Sequence, residues 1–287
     1  GFQALSANTT GGTNVAIGKD AMAANTTAGA NVAVGKSALA ANTTGGDNVA
    51  IGSDALDANT TASYNVAIGQ EALTANTTGH SNVAIGDEAG KIATTGDHNV
   101  LIGKGSGRNG VITGDKNIGI GSWSLYNLTS GAYNTIVGYD AGVAITTGAS
   151  NTAVGYRALD ANTTANYNVA VGQASLGANI TGAENTAVGY NSLLTNTTAG
   201  SNTAVGTASL KLNTTGANNS AVGGSALTAN TTGGSNTAMG NNALAANTTA
   251  DYNTAFGRSA LGANTTGTRN TAVGGYALDT TTTGVDN

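Results

Sequence analysis

The sequence predicts an all-β protein, a parallel β-solenoid of about 17 coils of 17 residues, and three observations carry that prediction. An Asn, a small aliphatic strand and a Gly recur at one spacing: NVAIG at 14, NVAVG at 31, then NVAIG at 48, 65 and 82. Self-similarity at a fixed short period marks a stacked repeat whose units bury their faces only against each other. An ordinary core is excluded by composition, since 287 residues include only Phe 2, Trp 1 and Met 2. Pro is absent and Gly does not fall at every third place, which excludes collagen. Few charges together with abundant Val, Ile and Thr argue against a disordered chain.

With the Asn counted as position 1, the coil Asn31 to Asp47 reads NVAVGKSALAANTTGGD. Positions 1 to 4 alternate and predict a short strand, with positions 2 and 4 (Val15 and Ile17, or Thr152 and Val154) on one face and the Ala of position 3 on the other. Position 5 is always Gly, as in Gly18, Gly35, Gly52, Gly69 and Gly86, which predicts a corner closed to a Cβ. Positions 8 to 11 read as a second short segment with one large side chain, the Leu of position 9. Asn-Thr-Thr-Gly at positions 12 to 15 reads as the turn leading back. Two helices and a return do not fit within 17 residues that contain these breaks. The interior is expected to be thin, lined by the residue at position 4, the Leu at position 9 and several Ala. Self-association would supply the burial that one rod lacks, so a homotrimer is expected.

The Asn column Asn14, Asn31, Asn48, Asn65, Asn82, Asn99, Asn117, Asn134, Asn151 and Asn168 continues to Asn287, with a single 18-residue coil before Asn117. Stacked Asn side chains can bond the coils above and below, so this column is expected to be a structural ladder that sets register. A second column, Asn8, Asn25, Asn42, Asn59 and Asn76, then Asn162 to Asn264, also forms Asn-Thr-Thr sequons. The ladder reading is preferred there over glycan acceptors. The paired Thr of positions 13 and 14 could present an ordered array of the kind ice-binding solenoids use, though plain β-propensity explains them more simply.

The NVAIGxxAL and NTAVGYxAL strings resemble the head repeats of trimeric autotransporter adhesins of the YadA type. With their NTTG corners they are also similar to repeats of phage tail fibres and bacterial surface fibre proteins. The resemblance implies a left-handed β-roll, three chains per fibre and an extracellular place at a cell surface or virion. The adhesin heads commonly use coils shorter than 17 residues, so the extra Asn-Thr-Thr-Gly corner departs from them.

Residues 1–287 read as a single array that begins and ends within a coil, which predicts a segment of a longer fibre. Coils spanning 82–150 depart from the consensus: AGKIATTG replaces ALxANTTG, one residue is inserted, and Trp123 and Tyr126 appear. A bulge in the rod is the simpler reading, while Lys104, Arg108, Trp123 and Tyr126 are the clustered candidates for contact with a host-surface glycan or receptor. Tyr64, Tyr133, Tyr139, Tyr156, Tyr167, Tyr190, Tyr252 and Tyr276 flank the strand at coil edges, where aromatics can bind a glycan or another chain, and packing between protomers is the preferred reading.

Nothing in the pattern points to an enzyme or to a cofactor. His80 and His98 lie one coil apart without a recurrent carboxylate or Cys to complete a metal site. No Gly-Lys-Ser/Thr loop or dinucleotide fingerprint is present. The net charge of -5, with no basic stripe, makes nucleic acid an improbable partner, and no apolar run suits membrane insertion by this segment. The expected role is a structural fibre or adhesin shaft, a rigid spacer presenting a binding tip. The alternative is a binding module, carbohydrate-binding or ice-binding, that uses a flank of the rod.

Overall fold

The computed structural model describes residues 1–287 and contains parallel β-strands and turns with no helix. It forms a β-solenoid in which every coil contributes one three-residue strand from repeat positions 2 to 4. Two compact units are present, Gly1–Ala149 and Ser150–Asn287. The first holds β1 (Val15–Ile17), β2 (Val32–Val34), β3 (Val49–Ile51), β4 (Val66–Ile68), β5 (Val83–Ile85), β6 (Val100–Ile102), β7 (Ile118–Ile120) and β8 (Thr135–Val137). The second holds β9 (Thr152–Val154), β10 (Val169–Val171), β11 (Thr186–Val188), β12 (Thr203–Val205), β13 (Ser220–Val222), β14 (Thr237–Met239), β15 (Thr254–Phe256) and β16 (Thr271–Val273).

Within each unit sequential strands pair in parallel without a register shift, so that Val15 faces Val32 and Val169 faces Thr186. The 18-residue coil keeps the same register, since Val100 still pairs with Ile118. The extra residue is therefore absorbed in the turn and never reaches the sheet. A one-residue slip would turn every side chain to the opposite face, which is why the insertion is confined there.

The buried set of a coil is repeat positions 1, 3, 8, 9, 12 and 15, as in Asn31, Ala33, Ala38, Leu39, Asn42 and Gly45. This corrects the expectation that position 4 lines the interior. Ile17, Ile51 and Val154 are 60%, 39% and 39% exposed, whereas Ala33, Ala50 and Ala153 are completely buried. The reason is the strand's period of two: position 1 must turn inward to place its amide in the ladder, which takes position 3 inward and sends 2 and 4 out together.

Positions 8 to 11 form a turn and no second strand. Positions 7 and 9 sit in the left-handed region, as at Ser37 (φ 55°) and Leu39 (φ 53°), a conformation costing about 1 kcal/mol for an L-residue. Their N–H groups point to opposite neighbours. Ser37 donates to Lys19 O of the preceding coil at 2.9 Å, and Leu39 donates to Ala55 O of the following coil at 3.0 Å. Those bonds to both neighbouring coils offset the strained backbone.

The corner glycines have a direct steric cause. Gly35 lies at φ 143°, and a Cβ there would stand 2.3 Å from the carbonyl oxygen of Gly52 in the next coil. The predicted Gly18, Gly52, Gly69 and Gly86 have the same left-handed φ, between 134° and 138°.

The irregular coils exchange volume among three core positions. The consensus carries Ala at position 3, Leu at 9 and Asn at 12, but one coil has Leu101 with Gly107, and another has Ile136 with Gly142 and Ile145. The coil between them reverses the exchange with Gly119, Leu125 and Leu128. A Cβ on Gly107 would meet Leu101 Cδ1 at 2.9 Å, and one on Gly142 would meet Ile136 Cγ2 at 3.2 Å and, from position 12, Ile145 Cδ1 at 2.9 Å. A large strand residue thus occupies the space vacated at position 9, and the interior stays filled.

Candidate functional site

Two columns of Asn run through the interior, bonded in different ways. At position 1, the backbone N–H of Asn48 donates to Asn31 Oδ1 of the preceding coil at 2.9 Å while Asn48 Nδ2 donates to Ala62 O, position 15 of its own coil, at 2.9 Å. Asn31, Asn65, Asn82, Asn99, Asn117 and Asn134 repeat the first of these bonds, onto Asn14, Asn48, Asn65, Asn82, Asn99 and Asn117. Asn168 likewise donates its N–H to Asn151 Oδ1.

At position 12 the side chains bond each other. Asn42 Nδ2 donates to Asn25 Oδ1 at 3.1 Å, and Asn59 Nδ2 donates to Asn42 Oδ1 at 2.9 Å. Asn25, Asn42, Asn59 and Asn76 are fully enclosed, so these sequon amides are not presented to a glycan. The run stops where Ala93 replaces Asn, and Asn76 Oδ1 is left buried without a hydrogen-bond partner.

The Thr pair splits its duties. At position 13 the hydroxyl donates to the carbonyl of its counterpart in the next coil, as Thr26 to Thr43 at 3.1 Å. At position 14 the Thr is exposed, as at Thr27 and Thr44.

On the flank formed by positions 6, 7 and 10, the irregular coils build a connected chain of side chains. Lys91 bridges Glu71 and Glu88, and Arg108 Nε donates to Glu88 Oε2 at 2.7 Å. Arg108 Nη1 in turn donates to the Tyr126 hydroxyl at 3.4 Å. The Lys91 hydrogen bond, opposed by burial and aided by the charges of Lys91 and Arg108, holds the Glu88 carboxyl below the usual range. Hydrogen bonds to Glu71 and Glu88 raise Lys91. Tyr126 meets Trp123 edge to face, with centroids 5.3 Å apart and planes inclined at 73°.

Of the sequence candidates, Arg108, Trp123 and Tyr126 come together, with Arg108 spent on holding Tyr126. Lys104 stands apart, paired at 3.2 Å with Asp87 on the open surface. Trp123 and Tyr126 line a cleft of about 270 Å³ with Tyr139, Asp140 and Val143. Sequence reasoning had placed Tyr139 only at a coil edge and had overlooked Asp140 and Val143. The available signal was spacing: all five residues fall at positions 6, 7 or 10 of adjacent coils.

The His80 side chain serves the backbone: its Nδ1 accepts from Ser63 N at 3.0 Å, while His80 N donates to Asp97 Oδ1 at 2.6 Å. No group of three or more His, Cys, Asp or Glu is gathered to hold a metal ion.

A further regular surface is the outer face of the sheet. In Gly1–Ala149 the outward pairs run from Val15 and Ile17 through Val66 and Ile68 to Ile118 and Ile120. In Ser150–Asn287 most coils place Thr at position 2 beside Val, Met or Phe at position 4, as in Thr237 with Met239. Comparison with family models, curated proteins and solved structures found no match.

Proposed function

We propose that the chain is a structural and interaction protein, a fibre or adhesin shaft segment at a cell or virion surface that assembles as a homotrimer and spaces a binding tip. The observation that carries this reading is the outward Val and Ile face of β1 to β7. Isolated surface aliphatics are ordinary, but a continuous aliphatic strip on an ordered sheet is an association surface. The interior is thin, since a typical coil buries one Leu at position 9 and Ala at positions 3 and 8, so pairing of the outer strips would add substantially to the apolar burial of each coil. Three copies that turn these strips toward one another would bury two aliphatic side chains per coil and per chain. The similarity of the NVAIG and NTTG strings to surface-fibre repeats supports the same arrangement.

Light scattering of the purified chain beside an Ile68→Lys, Ile85→Lys double variant tests the reading. The expected result is a threefold mass for the parent and a single-chain mass for the variant, with unchanged circular dichroism. A single-chain mass for the parent would sink the assembly.

A further inference from the structure

We propose that the cleft at Trp123 is a binding site for a neutral pyranose ring. The inference is independent of the assembly, since it uses positions 6, 7 and 10 of the coil and the outer sheet face uses 2 and 4.

The cleft is built and held before any ligand arrives. Gly105, one coil earlier in the Trp123 column, has φ 63°, and a Cβ there would lie 2.7 Å from the indole ring. The missing side chain is the seat of the Trp. The Tyr126 ring is fixed from two sides, by its edge contact with Trp123 and by the hydrogen bond from Arg108. Arg108 is itself held by Glu88, so the aromatic corner is anchored through an ion pair to the neighbouring coils. Rings held in place beforehand lower the ordering cost that weakens binding to an open surface.

The lining selects the ligand class. Trp123, Tyr126 and Tyr139 offer aromatic surface whose electron-rich faces attract C–H groups, and Val143 adds an aliphatic edge. Asp140 contributes a carboxylate, an acceptor-only group that can take hydrogen bonds from two adjacent hydroxyls. A sugar ring combines an apolar C–H face with a rim of hydroxyl donors. A volume of about 270 Å³ lies just below the range of drug-sized ligand pockets and suits one such ring.

A ring beside an Asp recurs on this flank within Ser150–Asn287. Tyr156 lies with Asp160, Gln173 and Arg157 in a groove of about 470 Å³ lined at position 10 by Gly177. Tyr276 lies with Asp279, Asn242 and Ser259 in one of about 420 Å³ over Gly262. Each pairs an aromatic ring with hydrogen-bonding side chains in place of further rings. That mixture matches a polyhydroxylated ligand, whereas an organic cation would gain from more aromatic faces.

Trp123 is the only Trp, so fluorescence of the full 287-residue chain excited at the red edge of the absorption band, where the 9 Tyr do not absorb, reports on this cleft alone. The titration uses the methyl glycosides of glucose, galactose and mannose up to about 100 mM, a range that captures millimolar dissociation constants. Tetramethylammonium chloride is titrated in parallel. At least one glycoside should give a saturable change, weakened tenfold or more by Asp140→Asn and by Tyr139→Ala. Asp140 has φ 53°, a conformation Asn tolerates well, so Asp140→Asn keeps the fold, as circular dichroism will verify. The proposal is overturned if no glycoside saturates, if Asp140→Asn binds as the parent does, or if only the ammonium ion responds.

Discussion

Asn59 shows how one buried amide ties three coils together. Its Nδ2 donates to Asn42 Oδ1 at 2.9 Å and to Ala62 O at 3.0 Å, and its Oδ1 accepts from Asn76 Nδ2 at 3.2 Å. A polar group enclosed in an Ala- and Leu-lined interior is costly unless bonded, and here each Asn satisfies the next. Asn59→Ala removes these bonds and leaves Asn42 Oδ1 with no side-chain donor, so it should cost about 2 to 3 kcal/mol. Asn8→Ala, at the open end of the column, should cost under about 1 kcal/mol. Amide hydrogen exchange of the neighbouring coils measures both, and equal losses would argue against a cooperative ladder.

At the scale of the element, the coil is defined by how volume and charge are shared with its neighbours. Leu101 fills the space between Gly90 and Gly107, since a Cβ on either glycine would come within 3.0 Å of its Cδ1. Leu101→Ala should therefore cost about 2 to 5 kcal/mol through the cavity left behind. Gly107→Leu alone should overpack the site at about 1 to 3 kcal/mol. The double variant restores the consensus Ala and Leu of the other coils, and its loss should fall short of the sum by about 1 kcal/mol or more. Additive losses in urea denaturation would sink the volume-exchange account.

The ion-pair chain on the same coils makes a separate prediction. Glu88 is held below its usual value of 4.5, so its contribution to stability is fully present above that value and is lost as pH falls through the lower, folded one. Melting temperatures of the parent and Glu88→Gln should differ near neutral pH and converge in acid. A difference independent of pH would show that Glu88 acts through packing alone.

For the whole molecule, the proposed assembly rests on aliphatic contacts in a chain whose net charge is only -5. Apolar association strengthens with salting-out ions, while surface ion pairs weaken as the screening length shrinks. The mass measured by light scattering should therefore hold or rise between about 0.05 M and about 1 M sodium sulfate. Dissociation at the higher concentration would assign the contact to charges such as Lys104 and Asp87.

The coil, its 17-residue period, the Gly corner and the strand were legible in the sequence because each depends on local spacing that repeats through the chain. One missing Cβ or one alternating tripeptide, multiplied by stacking, leaves few other ways to fold. The direction each strand faces was not legible, since Val-Ala-Ile alternates equally well with either face inward. Burial of the Asn amides decided it, through a bond from each Asn backbone N–H to the Asn Oδ1 of the preceding coil. Leu101 with Gly107 and Trp123 over Gly105 were hidden for the same reason: the partners lie in space across a coil, where one side chain's volume is set by the absence of another. The sequence by itself determined the period and the class of fold, and only the tertiary structure decided which residues form the core and which form the surface, because that choice is made between neighbouring coils.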